Sequence, residues 1–70
     1  MKAIIRANPH FPAVTALDVG RDLYHRRHDV MQIIGDKNSL SKIAWILDRV
    51  TDMFDVQSHS NSLIVRRAKA

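Results

Sequence analysis

The chain has 70 residues, 46% hydrophobic and 26% charged, which is too apolar for a disordered tail and too short for a second domain. It holds no Cys, which excludes a disulfide framework and a thiolate zinc site, and at this size only about 60% of the unfolded surface is buried, so a well-packed core, a partner or a dimer must supply stability. Eleven Lys and Arg against seven acids, every one an Asp, give a net charge of +4, which permits attraction to nucleic acid or to an acidic protein without requiring either.

The positive charge comes from the first half and from the tail, where Arg66, Arg67 and Lys69 stand without an acid, while residues 36–55 are slightly acidic. At the start, Arg6 and Asn8 interrupt the apolar run after Ile4 and Ile5, short of the about 7–15 residues of a secretory core. No stretch approaches the about 20 apolar residues of a membrane span. These features lead to the expectation of a cytoplasmic protein with no membrane partner.

Lys2–Ala7 reads as a first strand, closed by Asn8-Pro9. Thr15 then opens a helix predicted from Ala16 to Arg27, with a capping box between Thr15 and Asp18 and a hydrophobic staple between Val14 and Val19. At 100° per residue Ala16, Leu17, Val19, Gly20, Leu23 and Tyr24 share its apolar arc. Gly20 costs about 1 kcal/mol against Ala in a helix interior, which argues against a helix there unless another backbone approaches closely. Asp29–Gly35, apolar on both sides of its pleat, predicts a central strand buried on both faces; the alternative runs the first helix on to Ile34.

Gly35–Asn38 is a turn, and Asn38 or Ser39 is the expected N-cap of a second helix from Leu40 to Asp55. Its apolar arc holds Leu40, Ile43, Ala44, Ile46, Leu47, Val50, Met53 and Phe54. Leu63–Arg67 is the last strand, with Phe54–Gln57 as its optional hairpin partner. The fold class that follows is α+β: one domain over residues 1–70, two helices on a sheet of three or four strands in β-α-β-α-β order.

The most informative residue is Trp45. It falls on the polar arc of the second helix among Ser41, Lys42, Asp48, Arg49 and Asp52. Interfaces enrich Trp because it anchors in a partner's pocket inside a charged rim. Two structural accounts compete: a cation–π contact with Arg49 or Lys42, or cover by the C-terminal tail. The densest basic point is His25-Arg26-Arg27-His28, which with Arg21, Arg66, Arg67 and Lys69 offers phosphate contacts or a solvated helix end. Arg27 also suits a helix C-terminus, where the dipole favours cations and the side chain can snorkel.

Chemistry of other kinds has little support. His25 and His28 share a helical face, but only Asp22 and Asp29 stand by as further ligands, so no metal is expected. There is no Glu, no Gly-rich phosphate loop and no activated Ser, so neither catalytic residues nor a cofactor are expected. Helix-turn-helix, RNP-like strand and GxxG signatures are missing.

Gly35, Lys42-Ile43, Ile46-Leu47, Asp52 and Asp55 give this stretch a form that resembles the second helix of the DinI-like family of small recombinase-modulating proteins. The tail departs from that pattern: it is basic where the family has an acidic C-terminal helix, and the chain is not assigned to it. The expected function is that of a small regulatory or inhibitory protein, not an enzyme, which binds another protein through Ser41, Trp45, Asp48, Arg49 and Asp52. The alternative is nucleic-acid binding through Arg21, Arg26, Arg27, Arg66, Arg67 and Lys69. A homodimer is also expected, through the edge of the strand Leu63–Val65 or through Trp45.

Overall fold

A computed structural model describes residues 2–50 and 53–68 of the chain. The elements are β1 (Lys2–Arg6), α1 (Pro12–Tyr24), β2 (Val30–Ile34), α2 (Lys37–Val50), β3 (Phe54–Ser58) and β4 (Ser62–Arg67). The strands form one sheet in the order β1-β2-β4-β3, with β1 parallel to β2 and the other pairs antiparallel. This is the α+β class, and β3 pairs with β4 as the hairpin.

Both helices cover one face of the sheet. Met31 and Ile33 of β2 and Leu63 and Val65 of β4 point into a core completed by Ala16, Val19 and Leu23 of α1 and Leu40, Ile43 and Leu47 of α2. The opposite face is open. Ile4 is exposed, as is Ile34, while Gln32 and Ile64 are half-buried at paired positions. The expectation that β2 is buried on both faces is therefore corrected. It is central, with β1 on one side and β4 on the other, but only alternate residues reach the core. The helical alternative for residues 29–34 does not occur.

Local chemistry moves both helices toward the N-terminus of their predicted spans. Asn8 Oδ1 accepts from the amides of His10 and Phe11, both at 3.0 Å, and the Asn8 amide donates to Thr15 Oγ1 at 2.9 Å. This turn delivers the chain to Pro12, whose fixed φ and missing N–H suit the first helical position. Thr15 is thus buried inside α1 rather than capping it, and Val14 is exposed rather than stapled to Val19. At the other end the amide of Arg26 donates to Leu23 O and that of Arg27 to Asp22 O, with Arg26 at φ 59°. This is a Schellman ending with Arg in the left-handed position usually held by Gly. It stops the helix before the predicted Arg27.

Asp36 begins α2, not Asn38 or Ser39. Its carbonyl accepts from Leu40 N at 3.0 Å, while its carboxylate accepts the Ser39 hydroxyl at 2.6 Å and the Ser39 amide at 3.1 Å. The hydroxyl bond foremost, then the amide bond, holds the Asp36 carboxyl below the usual carboxylate range. A depressed native value contributes stability that is present above the unfolded value and lost as pH falls through the native one. Asp36→Ala is accordingly expected to lower the melting temperature at neutral pH, and the gap to wild type should narrow in acid below about pH 3.9. A gap that stays constant through acid would contradict this role.

α2 ends at Val50, short of the predicted Asp55, because Phe54–Ser58 leaves the helix to pair with β4. β4 in turn has a neighbour on each side, so dimerisation through the edge of Leu63–Val65 is not available; the outer strands are β1 and β3.

Candidate functional site

α2 presents Trp45 to solvent with 60% of its surface exposed. The guanidinium carbon of Arg49, one turn on, lies 4.9 Å from the ring centroid. Ser41, Lys42 and Asp48 are exposed around it, as their place on the polar arc requires. Asp52, the fifth residue of the predicted face, lies outside the described residues. The cation–π contact exists, yet Trp45 stays largely in water, and the described part of the tail, running through β4, pairs in the sheet instead of covering it.

Trp45 also borders a feature that its helical arc alone does not reveal. α1 and α2 lie side by side, and a groove runs between them, reaching Phe54 of β3 at one end. Its first part, about 500 Å³, is lined by Pro12, Ala13, Ser41, Lys42, Trp45 and Ile46. The second part, about 550 Å³, shares Ala13 and Ile46 and continues past Leu17, Gly20 and Tyr24 to Met53 and Phe54. Leu17 and Tyr24 share the predicted apolar arc of α1. They are exposed because the apolar arc of α1 is wider than the strip of sheet that the helix covers.

The basic residues do not gather into one surface. Arg67 Nη1 donates to the carbonyls of Leu23 and His28, each at 3.0 Å, and Nη2 to Asp29 Oδ1 at 2.9 Å. This guanidinium ties β4 to the α1–β2 connection, a role with no local signature in the sequence. Arg66, next along β4, is exposed and alternates onto the open face of the sheet. Arg21 and Arg27 line a cleft on the helical side with Asp18, Asp22 and His25, a mixture of both signs. Arg26 and Arg27 are exposed in the Schellman turn, and Lys69 lies outside the described residues.

His28 Nδ1 is 2.9 Å from Asp22 Oδ2 and 3.0 Å from Oδ1, a pairing that holds the ring against the end of α1. Among the described residues no three His or Asp side chains gather closely enough to hold a metal ion. No described helix is long and apolar enough to cross a membrane.

Comparison with protein families, with curated proteins and with solved structures finds no match to this chain.

Proposed function

We propose that the chain is a non-enzymatic regulatory or inhibitory module that binds another protein through the α2 face centred on Trp45. The observation that carries this reading is a Trp left 60% exposed on a well-formed helix and ringed by charge. A stacked Arg contributes about 0.5–1 kcal/mol at such a site, too little to explain why so much apolar surface stands in water. A partner's pocket would remove that surface from water, and Asp48 and Arg49 would match opposite charges at the rim. The split arrangement of the arginines favours this reading over nucleic-acid binding, since Arg67 is committed within the fold and Arg66 lies across the sheet from Arg21 and Arg27.

The test is capture of partners by the wild-type chain and by Trp45→Ala, with and without nuclease. Trp45→Ala should fold with a stability within about 1 kcal/mol of wild type, because the side chain is exposed. Its affinity for the captured protein should fall by about 2 kcal/mol or more, as at a hot spot. Partners that remain bound to the variant would refute the Trp45 face. Partners that vanish on nuclease treatment would point to nucleic acid instead.

A further inference from the structure

We propose that the groove between α1 and α2 receives an acidic amphipathic helix of the partner protein. The proposal rests on the Trp45 face being the binding surface and extends that face to its apolar side. The shape of the groove comes from residue size. Ala13 and Ala16 of α1 bring only methyl groups to its floor and Gly20 no side chain at all, and Leu17 and Tyr24 stand beside them on α1 as one wall. Ile46 and Met53 face them from the α2 side, with Trp45 at one end. From Ala13 to Tyr24 the groove follows α1 for about 16 Å, which matches about three turns of a second helix. Helices dock in such grooves by apolar anchors at i, i+3 or i+4, and i+7.

The charge at the rim selects the sign of the occupant. Lys42 lines the groove on the α2 side and Arg21 on the α1 side, while beside Trp45 at its end the stacked Arg49 and the exposed Asp48 offset each other. No Asp is among the described residues that line either part, and Asp18 faces the separate polar cleft. An apolar trough whose two charged lining residues, Lys42 and Arg21, are both cations complements a helix whose apolar stripe is flanked by carboxylates.

The experiment uses the full chain, whose single Trp is Trp45, and Trp-free synthetic peptides of about 15 residues. One peptide carries Leu at helical spacing with Glu elsewhere, one has Lys in place of Glu, and one scrambles the Leu/Glu sequence. The Leu/Glu peptide should move Trp45 emission to shorter wavelength and bind at least about tenfold more tightly than either control, with affinity falling as salt is added. Leu17→Glu, at an exposed position checked for folding by circular dichroism, should weaken that binding at least about tenfold. The double variant Arg21→Glu/Lys42→Glu should instead prefer the Leu/Lys peptide.

Equal binding of the Glu and Lys peptides, or of the scrambled one, would overturn the proposal. So would an emission shift produced by phosphatidylglycerol vesicles and not by the peptide, which would assign the groove to a lipid surface. Partners captured in a Trp45-dependent, nuclease-resistant way that remain bound to Leu17→Glu would overturn the groove while leaving the Trp45 face standing.

Discussion

Replacing Arg67 by Ala is expected to destabilise the fold by about 2–3 kcal/mol, the result of removing a charged donor from two main-chain carbonyls. Those carbonyls belong to Leu23 in the last turn of α1 and to His28 just before β2, so one guanidinium joins a helix end, a connection and β4. Without it the His28 oxygen must find water in a partly enclosed place, while Leu23 O keeps only the 3.2 Å bond from the Arg26 amide. The pair with Asp29 adds little, because that carboxylate is largely in solvent. For a domain of this size the loss corresponds to a fall in melting temperature of about 8–24 °C. Arg67→Lys should recover only a part, since one ammonium on a flexible stem does not reproduce the planar fork. Thermal and urea unfolding of the three proteins measure this. A loss below about 0.5 kcal/mol for Arg67→Ala would show that the bonds are replaced by water at no penalty.

The two glycines should respond to alanine with opposite signs. A Cβ on Gly35 would lie 2.8 Å from the Cβ of Ala7, closer than two such carbons approach, and 3.7 Å from Leu40 Cδ2. Ala7 has little room to yield, because its amide is bonded to Ile34 O at 2.8 Å. Gly35→Ala is expected to lose about 1–3 kcal/mol, as overpacking does. Adding Ala7→Gly should restore much of it, a coupling that marks the contact itself as the cause. A Cβ on Gly20 would instead rest at 3.7 Å from the Phe54 ring, an ordinary contact. Gly20→Ala should therefore stabilise α1 by up to about 1 kcal/mol. Unfolding curves that give both substitutions the same sign would contradict this account.

Gly20 illustrates what the sequence makes legible and what it does not. Its cost to a helix can be read from propensity, but its neighbour Phe54 fits both the period of the second helix and the hairpin strand Phe54–Gln57, and local pattern does not choose between them. In the fold Phe54 belongs to β3 and reaches α1 from the sheet. The strongly periodic part of α2, from Leu40 to Leu47, and the central place of β2 were readable because apolar spacing and β-branched content agreed there. The ends of α1 were not. Thr15 has the right type for a cap, yet Asn8, seven residues earlier, makes the turn and uses the Thr15 hydroxyl as an acceptor. At the far end an Arg holds the left-handed position, so no Gly marks the stop.

The site was legible only in part for a related reason. Trp45 stands out because it breaks the pattern of α2, whereas Leu17 and Tyr24 obey the pattern of α1 and lie on its apolar arc. Periodicity states which side chains share a face. It does not state how much of that face the sheet can cover, and the surplus is what forms the groove. The role of Arg67 depends on carbonyls 39 and 44 residues away in sequence, beyond the reach of any local rule.

The strand order has a consequence for how the chain acquires its structure during synthesis. β2 and β3 precede β4 in the chain but do not touch each other; β4 lies between them. A nascent chain that has left the ribosome only as far as residue 61 can therefore pair β1 with β2 and nothing more. Its Met31 and Ile33 await Val65 and Leu63, which emerge last among the strands. Domains of this kind complete their core after translation has passed the closing strand, and until then apolar surface is open to chaperones and to misassociation. Ser62–Arg67 is thus the segment that converts an open precursor into a closed sheet, and stalled fragments lacking it should be cleared by proteolysis rather than accumulate.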